Sequence, residues 1–522
     1  MPYTRRSFLH LLTAAGVASA YAQPFAQMQM PMPAPPPREL DIFNLPPFLD
    51  ALPLPQIIQA RAGQRIQVAM REIHAPLHRN LPPARMWSYG PTALAPVIEA
   101  RSGIPVEVEW VNHLPEKHFL PIDHTLHGCG TDLPEVRACV HLHGGRTPSA
   151  DDGYPDDWYV PGRSRVCRYP MQQEAAALWI HDHAMGINRL NIYAGLFGMF
   201  LVRDAAEDAL HLPRGRYELP LILYDRELTA EGQLYYPVSD DPAKPWVPEF
   251  TGDAIIINGK IRPYVEVEPR LYRLRILNSA NSRFFGLSST AGPLLQIGSD
   301  QGLLAVPVAV NRLTLAPGER ADILLDLSAL AGERVHLRNG ALDILEFRVA
   351  GPAKHSTIAA RIPKTLRPVE RMPESAAIAT RRITLNEYQD DHGRSMVMLL
   401  NRQHWHEPVT ERPRLNTTEI WEFVNQTQDT HPMHLHLVRF QVLDRRPFDP
   451  FAFMMRREMI YTGPAVTPPA NEMGWKDVVQ CEPGVVTRII VRFEGYTGNY
   501  LYHCHILEHE ANDMMRPFEV IA

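Results

Sequence analysis

The 522-residue sequence predicts an all-β fold with long loops, divided among three strand-rich blocks. Forty-nine prolines are spread along the chain and break up long helices. Short runs rich in β-branched and aliphatic residues, such as Ala254 to Ile257 and Tyr272 to Leu277, read as strands. The length exceeds what one ordinary core holds and suggests about two to four domains. A hydrophobic content of 45% with 21% charged residues is that of a soluble globular protein. The net charge of -6 leaves no basic stripe to neutralise phosphates, so nucleic acid is not an expected partner.

The N-terminus reads Thr4-Arg5-Arg6-Ser7-Phe8-Leu9, followed by an apolar run from Leu11 to Ala20. That run suits a signal segment and is too short for a membrane span. The paired arginines resemble a twin-arginine signal, so residues 1–22 are expected to direct export through the twin-arginine machinery. The destination is then periplasmic or extracellular. Residues 23–37, with Met28, Met30 and Met32 among prolines, read as a linker, although thioethers also suit Cu(I). The first strand-rich block spans 38–205 and carries His141-Leu142-His143 and His181-Asp182-His183. The second, 211–351, has no paired-histidine motif, and its role is read as architectural. Residues 352–380 read as a second linker. The third block, 381–522, carries His431-Pro432-Met433-His434-Leu435-His436 and His503-Cys504-His505. No stretch after the signal is long and apolar enough to span a membrane.

Alternation along a strand gives these motifs their meaning. Residues i and i+2 project from one face, so each His-x-His pair presents two imidazoles on one side. In His503-Cys504-His505 the thiol therefore points away from both imidazoles. Cys504 with His509 five residues on and Met514 ten residues on matches the ligands of a blue copper centre, the second imidazole coming from the 431–436 cluster. The eight imidazoles of the four pairs suit a second, multinuclear copper site. Zinc fits poorly, since its structural sites are closed four-ligand sets. A shared site requires the first and third blocks to pack together. His124 and His127 read as loop or supporting groups. Four cysteines besides Cys504, namely Cys129, Cys139, Cys167 and Cys481, allow three pairings in an oxidising compartment, or remain as thiols.

Further segments carry a family resemblance. They are Leu120 to Thr125, His141 to Gly145, Asp152-Gly153-Tyr154-Pro155, Trp179 to Met185, Tyr461 to Pro464, Gly474-Trp475-Lys476-Asp477 and His503 to Pro517. With the ligand motifs, they resemble the multicopper oxidases of the three-domain type, and among these the bacterial spore-coat laccase group. The resemblance implies three cupredoxin-like Greek-key β-barrel domains, four copper ions, and oxidation of small aromatic reductants with reduction of O2 to water. By position, the type 1 copper takes His431, Cys504 and His509 with Met514 axial; Met515 is a second thioether within one residue. The type 2 copper takes His141 and His434. The type 3 pair takes His143, His181 and His505 on one ion and His183, His436 and His503 on the other. In the resembling family, acids at the positions of Glu510 and Asp152 assist proton delivery and oxygen reduction.

Electrons are expected to enter at an exposed edge of His509, with the run Pro464 to Pro469 forming part of its rim. The same ligand set also serves bilirubin oxidases, aminophenol oxidases and Cu(I) or Mn(II) oxidases, and a copper-free exported scaffold is the non-enzymatic alternative. Specialised cuprous oxidases carry a methionine-rich insert in the third domain. This chain has there only the scattered Met454, Met455, Met459 and Met473, so aromatic donors are the expected substrates.

Overall fold

A computed structural model describes residues 39–241, 243–351 and 362–522. The expected signal (1–22), the Met/Pro linker (23–37) and residues 352–361 of the second linker lie outside the described residues. Residues Arg38–Ala522 form one compact unit. The fold is all-β, and the α-helices are short: Asn188–Ala194, Ala205–Asp208, Pro450–Arg456 and Leu507–Ala511. No helix among the described residues is long and apolar enough to cross a membrane.

Each hydrogen-bonded sheet draws its strands from a single stretch of chain. Residues 57–203 give a five-stranded and a four-stranded sheet, 218–349 an eight-stranded and a five-stranded one, and 377–520 a five-stranded and a four-stranded one. Solvent-facing strands alternate, as in Val106–His113, whose residues are buried at every second position. The strands that carry the histidine pairs do not. Val140–His143, Ala176–Asp182 and His431–Leu435 are buried throughout, because both of their faces are covered. One apolar cluster runs from Trp110 and Trp179 in the first stretch to Trp421, Cys504 and Phe518 in the third. The middle stretch has its own core around Leu221, Ile276 and Phe347. Burial of the shared cluster is what presses the first and third stretches together.

One expectation needs correcting here, and one open alternative closes. The strand Ala377–Gln389 begins inside the stretch read as linker: the turn Glu374–Ala376 ends the irregular path, and Ala377 then pairs in parallel with Thr418. All five cysteines are buried free thiols, so Cys129, Cys139, Cys167 and Cys481 form no disulfide. Ala254–Ile257 is a strand as read, and Tyr272 to Leu277 lies within the strand Leu271–Asn278.

Candidate metal centre

The four histidine pairs meet between the first and third stretches. Val140–His143 pairs antiparallel with Ala176–Asp182, placing His141 opposite His181. His431–Leu435 pairs with Gly498–Cys504, placing His434 opposite His503. Imidazoles from the two stretches then stack face to face, His141 on His436 at 3.8 Å and His143 on His434 at 3.6 Å between ring centroids.

Hydrogen bonds fix which nitrogen faces inward for six of the eight rings. His141 Nδ1 donates to the Asp152 carbonyl (2.6 Å), His436 Nδ1 to Asp152 Oδ2 (2.7 Å) and His434 Nδ1 to the Asp477 carbonyl (2.8 Å). His143 Nε2 donates to Asp477 Oδ1 (3.1 Å), His181 Nδ1 to the Asp182 carbonyl (2.9 Å) and His503 Nδ1 to the Cys504 carbonyl (3.0 Å). The other nitrogen of each ring is left as a lone pair. His503 Nε2 lies 3.2 Å from His436 Nε2 and 3.4 Å from His183 Nε2. His141 Nε2, His143 Nδ1, His181 Nε2, His434 Nε2 and both nitrogens of His505 are buried with no hydrogen-bond partner among the described residues. Burial, followed by the neighbouring imidazoles, holds His141, His143, His434, His436 and His505 well below the usual histidine range. His181 and His183 are lowered to about 3, chiefly by burial. Neutral rings with inward lone pairs are metal ligands, and orphaned polar atoms on this scale are otherwise costly.

The thiol of Cys504 points the other way. Its Sγ lies 3.5 Å from His431 Nδ1 and 3.7 Å from His509 Nδ1, and the two nitrogens are 3.3 Å apart. Trigonal ligands with bonds of about 2.0–2.3 Å to one ion have edges of about 3.5–3.8 Å, so the triangle is already near the size of a His2Cys site. Thr427 Oγ1 sits 2.6 Å from His431 Nε2 and leaves Nδ1 facing the thiol. Met514 belongs to the same buried cluster as Cys504, whereas Met515 packs on the far side with Met185, Trp405 and Leu501.

Both acids singled out from the sequence are at the histidines. Asp152 bridges His141 and His436, and burial pushes its carboxyl well up. Glu510 is fully buried, with Oε1 3.4 Å from His183 Nε2 and Oε2 3.2 Å from His503 Nδ1. Burial alone would raise its carboxyl; the His503 and His183 imidazoles outweigh that and hold it low.

The second stretch does more than the architectural role read for it. Arg320 donates from Nη1 and Nη2 to the two oxygens of Asp477, each at 2.6 Å, and so backs the carboxylate that holds His143. Gly318, at φ +82°, passes so close to His505 that a Cβ would lie 2.7 Å from its Cδ2. Tyr236, Asn281 and Ser282 donate to the buried Glu508 carboxylate, beside His509, at 2.7, 2.8 and 2.7 Å. Asp477, Arg320, Thr427 and Glu508 carry no spacing signal that reading the sequence could have caught. Asp477 and Glu508 stood only inside matching segments.

The expected access route is also corrected. His509 is fully buried rather than exposed at one edge. Its helix, Leu507–Ala511, is covered by Trp246, whose Nε1 donates to the Glu508 carbonyl (3.1 Å), and by the 395–400 strand, where the Met396 carbonyl accepts from Asn512 (3.0 Å). Between these lies a cavity of about 590 Å³ lined by Leu126, Lys244, Trp246, Val247, Met396 and Asn512, among others. The run Pro464 to Pro469 is not part of it. Val466 bridges Arg445, and Pro469 lines a separate cavity with Glu319 and Lys476.

Comparison with known proteins agrees with this geometry. Residues 132–207 and 377–522 each match a family model described as multicopper oxidase, and the two stretches contain all four histidine clusters. A laccase of Bacillus stratosphericus is 44% identical over 92% of this chain and 100% of its own length. A laccase of Bacillus subtilis (strain 168) is 44% identical over 91% and 99%. The crystal structure of a multi-copper oxidase from Pediococcus acidilactici superposes with a TM-score of 0.76 at 27% identity, covering 91% of this chain and 92% of that one.

Proposed function

This chain belongs to the multicopper oxidase family, and we propose that it couples one-electron oxidation of phenolic or aromatic amine donors to reduction of O2 to water, with a buried centre whose residues would hold four copper ions. It is a laccase-like copper oxidoreductase with O2 as acceptor. The proposed type 1 ligands are His431, Cys504, His509 and Met514. The type 2 ligands are His141 and His434, and the type 3 ligands are His143, His181 and His505 on one ion and His183, His436 and His503 on the other. Bound copper would supply the one-electron redox chemistry that these side chains lack.

One observation carries the reading. The tripeptide His503-Cys504-His505 sends its thiol into the His431–His509 triangle and both its imidazoles into the histidine cluster. The two sites are thus joined through three consecutive residues. Asp152 touches His141 and His436, Glu510 touches His183 and His503, and carboxyl groups at these places can relay protons to where oxygen reduction consumes them. The 590 Å³ cavity is of the size that takes an aromatic ligand, and its wall residue Asn512 donates to the His509 carbonyl. A second cavity, about 470 Å³, reaches Thr427 beside His431. The first is the larger and is walled by Trp246, Val247, Pro248 and Met396, which suits bulky aromatic donors.

We further propose the domain division 38–205, 211–351 and 377–522, the third beginning with the strand Ala377–Gln389, which the confinement of each sheet to one stretch supports. Export by the twin-arginine route rests on Arg5-Arg6 and the apolar run after it. Steady-state oxygen uptake with methoxyphenols, bilirubin, Cu(I) and Mn(II) tests the substrate class. Methoxyphenols should give the higher kcat/KM. A clear preference for Cu(I) or Mn(II) would replace this reading with a metal oxidase.

A further inference from the structure

Three histidines and a carboxylate gather outside the centre described above. His404-Trp405-His406 is a fifth His-x-His pair. Trp405 is buried against Met185, Leu501 and Met515, while the histidines on either side of it are exposed. His127 and Asp513 arrive from two other parts of the chain. The Asp513 carboxylate accepts from His127 Nδ1 at 3.0 Å and from His404 Nδ1 at 2.6 Å. His127 Nε2 faces His406 Nε2 at 2.6 Å, with ring centroids 4.2 Å apart. Two nitrogens at that distance cannot both carry hydrogen, so at least one directs a lone pair at the other.

We propose that His127, His404, His406 and Asp513 form a binding site for one further divalent transition-metal cation, separate from the four-copper centre. Imidazole and carboxylate donors suit Zn2+ and Cu2+. A histidine whose second nitrogen donates to a carboxylate, as His127 does to Asp513, has the arrangement that orients a metal-binding ring and raises its basicity. A tetrahedral ion with bonds of about 2.0–2.1 Å holds its nitrogens about 3.3 Å apart, so His127 and His406 need to part by less than about 1 Å. The exposed His406 ring is free to make that movement, and the exposed His404 ring is free to turn toward the ion. No lysine or arginine head group is hydrogen-bonded to these side chains among the described residues; Arg516 ends on the backbone carbonyls of His404, Trp405, Glu407 and Pro408 instead.

The place of the site gives it a consequence. Leu126 and Asn512, the neighbours of His127 and Asp513, line the 590 Å³ cavity. A bound cation would tie the 127, 404–406 and 513 segments together and stiffen that wall.

The test uses the copper-loaded enzyme and zinc chloride alone, since zinc is redox-silent and thioethers such as those of Met28 to Met32 do not compete for it. Equilibrium dialysis at neutral pH, with both metals measured in the same samples, should find one zinc per chain and unchanged copper. His404→Ala and His406→Ala should each weaken zinc binding by about ten-fold or more while the blue absorbance stays intact. The proposal is overturned if no zinc binds, if it enters only as copper leaves, or if both variants bind it as the parent does.

Discussion

Asp477→Asn tests how the three stretches share one centre. Asp477 accepts from His143 and from both terminal nitrogens of Arg320, and its carbonyl holds His434. Gln301 Nε2 donates to the same carboxylate (2.6 Å), so an asparagine keeps the shape but offers one side-chain oxygen for four donors, and an N–H must face an N–H. It also removes the charge opposite a fully buried guanidinium, and breaking such a pair costs about 3–5 kcal/mol. Asp300 stays 3.9 Å from Arg320, which places the cost near the lower end, about 3 kcal/mol. For the unit Arg38–Ala522, an unfolding entropy of about 2 cal/mol/K per residue sums to about 1 kcal/mol/K, so Tm should fall by about 3 °C. The loss of the group orienting His143 should weaken copper retention at the histidine cluster by about 10–100-fold. Thermal unfolding, and residual copper after dialysis against a chelator, measure the two effects, with the blue band reporting the Cys504 site separately. Adding Arg320→Met should restore stability but not copper retention. A single variant that unfolds with the parent and keeps all its copper would refute the reasoning.

Other expectations follow from the same geometry. Met514→Leu should raise the type 1 potential and keep the blue band, while Met515→Leu, a swap of similar volume in a separate cluster, should leave the potential unchanged; redox titration decides, and the reverse result would move the axial ligand by one residue. Glu510→Gln should lower oxygen turnover while copper content and anaerobic bleaching of the blue band by a donor stay near normal, and unchanged turnover would remove its proton role. Burial would raise the Glu207 carboxyl, but Arg275, Arg273 and Arg203 outweigh it and hold it down at about 2 against an ordinary 4.5. The depressed value means that its stabilisation, about 3 kcal/mol, is complete above pH 4.5 and is lost as pH falls from there toward 2. Denaturant titrations across that window should show a shallower pH slope in Glu207→Gln, and parallel slopes would contradict the assignment.

The faces of the centre were legible because a strand's two-residue period is a local property: His141 with His143 and His503 with His505 needed no tertiary information. Which nitrogen of each ring turns inward was not legible. That is decided by partners remote in sequence, such as Asp477, 334 positions from His143. Exposure of His509 was misread for the same reason, since Trp246, 262 positions from Glu508, covers its helix. The second stretch looked architectural because its contribution is made by Arg320, Gly318 and Tyr236, none of them a metal ligand. The third block's start was misplaced by a few residues, since parallel pairing of Ala377 with Thr418 outweighs the irregular composition before it.

The central claim is that electrons reach oxygen through Cys504, which joins the two sites. Oxygen uptake by copper-loaded Cys504→Ser, with a methoxyphenol donor and the parent alongside, tests it most directly. The parent should be blue and consume one O2 for every four electrons from donor, without releasing peroxide. The variant should lack both the blue band and donor-driven uptake while its histidine cluster still holds copper. Parent-like oxygen uptake by the colourless variant would contradict the account.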